Sequence, residues 1–178
     1  MKRGFGSNLL DLPLISQVRR NHALEHATMR VLTERRGTSR LMGRSSFWGF
    51  AIYGDVDTEE LLDAAHEGLR RLKAGKRTMA IHPNCGSNYA VAGTIAGLGA
   101  FLALGGLSRR EDERVLDRLA RLPLACAIGT VGVILSRPLG TAFQAHVTTE
   151  ADVGDLQVVG VTKSERPGSV VHFVQTET

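Results

Sequence analysis

The sequence predicts an α+β protein: a small mixed helix and antiparallel-sheet domain with a two-helix transmembrane hairpin inserted. Two uncharged stretches and a change of hydrophobic period carry that prediction. No Asp, Glu, Lys or Arg occurs from Thr78 to Ser108, and none occurs from Leu122 to Thr149 apart from Arg137. The flanking parts read instead as helical spacing near the N-terminus and strand-like alternation in the tail. The expected division is residues 1–88 (an N-terminal helix and α+β part), 89–143 (the hairpin) and 144–178 (a C-terminal β-hairpin packing on the first part).

Asn8 to Arg36 reads mainly as one helix. Leu9, Leu10, Leu12, Leu14 and Ile15 give it an apolar start suited to a membrane surface, and Val18, His22, Glu25, Met29 and Leu32 continue at helical spacing. Arg35, Arg36 and Gly37 form a C-terminal stop. Ser39 to Ser45 and Phe47 to Tyr53 read as a strand pair. Asp57-Thr-Glu-Glu60 matches a capping box opening a helix with Leu61, Leu62, Ala65, Leu69 and Leu72 on its apolar face, and Gly75 ends it. Thr78 to Ile81 reads as a short strand, followed by the turn His82-Pro-Asn-Cys-Gly86.

The first span, 89–107, reaches roughly the thickness of a bilayer's hydrocarbon layer at about 1.5 Å per residue. The second, 122–143, is long enough once Arg137 snorkels. A charged connector, Ser108 to Arg121, joins them. In the tail, Leu156 to Thr162 and Ser169 to Gln175 alternate as strands around a Pro-Gly turn at 167–168. An even number of spans puts the two polar parts on one side of the membrane. The expected location is the bacterial inner membrane, multi-pass, with both termini cytoplasmic. The arginines of the connector pull against that orientation, while Lys73, Lys76, Arg77 and Arg137 pull toward it.

The formal net charge is +4 over 178 residues, with aromatics at 5%. Scattered cations with few aromatics to stack on argue against nucleic acid, and juxtamembrane cations facing anionic lipid explain the balance. Mean hydropathy is −0.04 because polar flanks average out the apolar middle. Cys85 and Cys126 lie just before the first run and inside the second, so no disulfide framework is expected, and no signal peptide is read at the N-terminus.

His22-Ala-Leu-Glu-His26 is the most chemically informative stretch. On a helix, residues four apart share a face, so both imidazoles can approach one ion, with Glu25 beside them. The alternative is a packed helix with Glu25 paired to Arg19 or Arg20. His82 and Cys85, three apart in a tight turn, can chelate a borderline ion, and His146 follows the second span. The expected metal set is therefore His22, His26, His82, Cys85 and His146, with zinc as the cofactor and Glu25 as the catalytic base. His66 and His172 read as ordinary surface or sheet histidines. Gly93 and Gly97 form a G-x-x-x-G pair suited to close helix packing, either of the hairpin on itself or in a homodimer. No Walker loop, dinucleotide fingerprint or G-x-S-x-G elbow is present.

The H-x-x-E-H spacing resembles that of the inverted zinc peptidases, in which two His bind zinc and the Glu handles the water proton. Their third ligand is a downstream Glu. The corresponding region here, the first apolar run, has no acid. More broadly, Arg20-Asn-His-Ala-Leu-Glu-His-Ala-Thr28, Trp48 to Glu60, His82-Pro-Asn-Cys-Gly86 and His146-Val-Thr-Thr149 resemble a family of small bacterial membrane proteins with a domain of unknown function. That resemblance implies membrane residence and no particular activity. The residues lead to two expectations: an integral membrane protein with a His/Glu-rich zinc site at the membrane face acting as a metal-dependent hydrolase on a peptide or lipid-derived ester, or a non-enzymatic membrane scaffold.

Overall fold

The structure, a computed structural model, describes residues 9–37, 41–106, 115–166 and 169–178. The extreme N-terminus, Ser39, the first half of the connector with Arg109, Arg110 and Arg114, and the Pro167-Gly168 turn lie outside the described residues. The chain divides into two compact units, Met1–His82 with Ala145–Thr178, and Pro83–Gln144.

In the first unit a short 3-10 turn, Leu9–Asp11, precedes helix α1, Pro13–Arg36. The expected single helix from Asn8 is therefore broken at Leu12, because Pro13 at the first helical turn has no N–H and holds the preceding residue extended. Gly37, at φ 80°, caps the other end, its N–H donating to the Thr33 carbonyl. Strands β1, Met42–Ser46, and β2, Gly49–Tyr53, form an antiparallel pair. Helix α2, Thr58–Lys73, starts at Asp57, whose carboxylate accepts from the Glu59 and Glu60 N–H groups at 2.9 and 3.0 Å. Glu60 does not reach back to complete the expected box; its carboxylate is bound by Arg36. Strands β3, Gln157–Arg166, and β4, Ser169–Glu177, complete a four-stranded antiparallel sheet in the order β1-β2-β4-β3.

Alternation places Phe50 and Ile52 of β2 opposite Val174 and His172 of β4 on one buried face. A bulge between Val158 and Gly160 lets Val158 and Val161, an odd number of residues apart, both pack on the core. The helices α1 and α2 cover this face with Ala23, Leu24, Ala27, Val31, Leu32, Leu61, Ala64 and Ala65. The two helices approach closely at Gly68, where a β-carbon would come within 3.1 Å of the Ala27 backbone.

A second, polar stripe of α1 is buried as well. Asn21 donates to the carbonyls of Ser46 and Phe47, both at 2.9 Å, and accepts from Thr176 Oγ1 at 2.7 Å. Gln17 accepts from Thr178 at 3.2 Å. These bonds fasten α1 to the β1–β2 turn and to the end of β4. The turn carries Trp48, 69% exposed, with Phe47 edge-on to it at 4.8 Å. The segment expected as a strand at Thr78–Ile81 is a 3-10 turn, Arg77–Ala80. Its carbonyls are taken by side chains of α1, Thr78 by Arg30 at 2.9 Å and Ala80 by His26, so they serve no sheet partner.

The second unit contains helices α3, Gly86–Ala103, α4, Val115–Ala120, and α5, Leu122–Phe143, with α3 packed along α5. A π-turn, Gln144–Thr148, follows. Gly132 and Gly129 of α5 meet Ala96 of α3, and Gly99 of α3 meets Ile128. Gly93 and Gly97 do not make this contact: a β-carbon at either would meet nothing within 4 Å. The G-x-x-x-G pair therefore does not pack the helical pair on itself.

Among the described residues one helical stretch, Val115–Thr148, is long and apolar enough to cross a membrane. The expectation of two spans thus meets support for one. Helix α3 stops at Ala103 because Leu104, Gly105 and Gly106 turn the chain, with both glycines at positive φ, and its 18 residues begin with Gly-Ser-Asn.

Candidate metal centre

Helix α1 sets out His22 and His26 one turn apart, and the rings lie with centroids 4.3 Å apart and planes tilted by 59°. His82, at the end of the first unit, brings its ring to 5.6 Å from that of His26. A metal–nitrogen bond of about 2.0–2.1 Å, added to the half-width of an imidazole, allows rings sharing one ion to lie up to about 6 Å apart. The His22–His26 and His26–His82 pairs each fall within that limit.

Backbone carbonyls fix the rings. His26 Nδ1 is 2.6 Å from the Ala80 oxygen, and His22 Nδ1 is 2.8 Å from the Thr148 oxygen. A carbonyl only accepts, so each Nδ1 carries the hydrogen and each Nε2 is the basic nitrogen. This outer support is the one that metal-ligating histidines ordinarily have. His26 is buried and His22 half-buried, and burial together with the positive environment of His26 and Arg30 lowers the pKa of His82. A neutral imidazole is the form that binds a metal.

Glu25 is 4% exposed and turned toward β1, not toward the imidazoles of its own helix. Ser45 Oγ donates to its Oε2 at 2.5 Å, and its Oε1 fills the space above Gly43 where a side chain would stand. Burial raises the carboxyl's pKa above the ordinary carboxylate range, against the Ser45 hydrogen bond and the field of His22. Neither Arg19 nor Arg20 pairs with it. Both arginines instead meet Glu150, at 3.5 and 3.4 Å, and Arg19 also donates to the Thr149 carbonyl at 3.1 Å.

Of the remaining expected ligands, one belongs to the second unit and one to the π-turn. Cys85 is the N-cap residue of α3 in the second unit, buried, with Sγ 3.0 Å from Ser87 Oγ. His146 is exposed on the π-turn, where its carbonyl accepts from Arg19 at 3.4 Å. His66 is exposed as expected. His172 is not an ordinary sheet histidine: it is fully buried, Nε2 lies 3.1 Å from Thr58 Oγ1, and Nδ1 has no partner among the described residues.

The sequence reading missed Ser45 and Gly43 as partners of Glu25, and the carbonyls of Ala80 and Thr148. A pointer to the first pair was present: Gln17, Asn21 and Glu25 recur every four residues, a polar row that a buried helix can keep only with partners.

Residues 17–161 match the model of a family described as a domain of unknown function, DUF6391. The chain is 31% identical over 168 residues to an uncharacterised protein of Picosynechococcus sp., an alignment covering 89% of this chain and 78% of that protein. No solved structure matches the chain.

Proposed function

The chain belongs to the DUF6391 family, and we propose that it is a multi-pass membrane protein with a zinc-binding, hydrolytic centre at the membrane face. The observation that carries the proposal is the pairing of His22 and His26 through their Nδ1 atoms to backbone carbonyls, which leaves two basic Nε2 atoms on one helical face. His82 is the third nitrogen ligand. Cys85, three residues after His82 in the chain, is the proposed sulfur ligand. Such a nitrogen and sulfur donor set suits zinc.

Membrane residence is supported by the exposure of the second unit's apolar side chains. Helix α3 buries none of its residues, and α5 leaves Leu124, Val131, Ile134, Leu135 and Leu139 more than half exposed. Water is a poor solvent for such a surface, and lipid covers it. In this reading α3 and α5 form the expected two-helix hairpin. The chain leaves the first unit beside His82 and returns just before Thr148, whose carbonyl holds His22.

Zinc would supply the acidity that turns bound water into a nucleophile. Glu25 is the proton acceptor of the proposal, its carboxyl pKa raised by burial. The substrate class is a peptide or a lipid-derived ester. Stoichiometric zinc in detergent-purified protein, lost in the double variant His22→Ala, His26→Ala, is the expected result; equal metal content in that variant overturns it. Glu25→Gln should keep the metal and lose hydrolysis. A second reading, a non-enzymatic scaffold, is favoured by the hold of Ser45 on Glu25, which serves equally to latch α1 to β1; wild-type protein free of metal would select it.

A further inference from the structure

The second unit holds a cavity of about 430 Å³ at the end of the α3–α5 pair where the chain enters and leaves it. Its polar wall is Asn84, Asn88, Ser136, Arg137 and Thr141. Arg137 is the only charged residue between Arg121 and Glu150, so no carboxylate on its own helix neutralises it. An ionic group embedded in an otherwise apolar helix points to a ligand or a pathway.

The hydrogens of the wall restrict what fits. Ser136 donates its hydroxyl hydrogen to the Val133 carbonyl at 2.7 Å, and Thr141 donates to the Arg137 carbonyl at 3.1 Å. Both hydroxyls therefore offer lone pairs only. Asn88 Nδ2 is engaged by the Pro83 carbonyl at 2.8 Å, and Gln144 donates to Asn88 Oδ1 at 2.5 Å. The cavity thus combines a guanidinium, which binds an oxyanion through several N–H groups, with acceptors that call for ligand hydroxyls. Tyr89, Ala92 and Val133 supply an apolar side to the same cavity.

We infer that this cavity binds an anionic phospholipid with a hydroxyl-bearing headgroup, its phosphate on Arg137 and its hydroxyls on Ser136 and Thr141. The apolar wall of Tyr89, Ala92 and Val133 takes the first part of an acyl chain. Gly140 makes the polar end possible, since a β-carbon there would fall 2.7 Å from Asn88 Oδ1. The inference rests on the membrane reading of the second unit and is independent of the metal.

The test is native mass spectrometry of the full chain in detergent, titrated separately with phosphatidylglycerol, phosphatidylcholine and soluble glycerol phosphate. Phosphatidylglycerol should saturate at one per chain, with the other two at least about tenfold weaker. Arg137→Gln should weaken phosphatidylglycerol by about tenfold, Arg137→Lys should keep part of the binding, and Thr141→Val should erode the preference over phosphatidylcholine. Undiminished binding by Arg137→Gln, or equal binding of the two lipids, overturns the site. Glycerol phosphate binding as tightly as the lipid overturns the lipid as its source. Anchorage is read separately, by whether the chain stays with vesicles after an alkaline carbonate wash. Release by that wash sinks the membrane reading whatever the titration gives, and retention alongside a failed titration sinks only this site.

Discussion

The carboxylate of Glu25 occupies the place that a side chain at position 43 would need: a β-carbon built on Gly43 collides with Glu25 Oε1. Helix and strand are thus fitted to each other by an absent side chain on β1 and a buried acid on α1. Gly43→Ala should cost about 1–3 kcal/mol, the usual range for overpacking. Chemical denaturation followed by far-ultraviolet circular dichroism measures it. In a Glu25→Ala background the same substitution should cost much less, because the colliding group is gone. Equal costs in both backgrounds would refute the fit.

His22 and His26 should act together on metal. Either single alanine variant should lower zinc content from about one per chain to well under half, since a chelate loses most of its affinity with one ligand. Plasma emission analysis after dialysis against a weak chelator measures it. His146→Ala should leave the content unchanged.

His172 should give the first unit an acid-sensitive limb. Burial holds its imidazole below the ordinary histidine pKa, assisted by Lys163 and opposed by Asp57 and Glu165. Between the folded value and about 6.5, the unfolded chain binds more protons than the folded one, so stability rises with pH there and falls as pH drops. Thermal melts from pH 5 to pH 8 should show this slope in the wild type and a flatter profile in His172→Gln. An identical slope in the variant would exclude His172 as its source.

Gly68 should tolerate no branching. A β-carbon already comes within 3.1 Å of the Ala27 backbone, and that backbone cannot give way as a side chain can. Gly68→Val should destabilise by about 1–3 kcal/mol or more, read by the denaturation midpoint.

Local chemistry made some of the architecture legible in advance. Asp57 and the leucine spacing behind it marked α2, Gly37 marked the end of α1, and the run from Leu122 to Phe143, charged only at Arg137, gave α5 its bounds. The partners of the polar row on α1 were not legible, because they are distant in the chain: Asn21 meets Thr176 across 155 residues. Thr78–Ile81 read as a short strand ahead of the turn at His82. What decided its shape was Arg30 and His26 claiming its carbonyls. At the site, the spacing of His22 and His26 was plain in the sequence. Their tautomer was not, because it is set by the oxygens of Ala80 and Thr148, which belong to segments that fold around α1. The orientation of Glu25 depended likewise on a glycine and a serine in β1.

The placement of Trp48 has a practical outcome for anyone following this molecule by light. The sole indole sits at the outer tip of a turn, already largely in solvent, so its emission colour will scarcely move when the core comes apart. The same fluorophore becomes a sensitive beacon for anything that settles on that tip: a blue shift on adding vesicles would register contact there with the fold still intact.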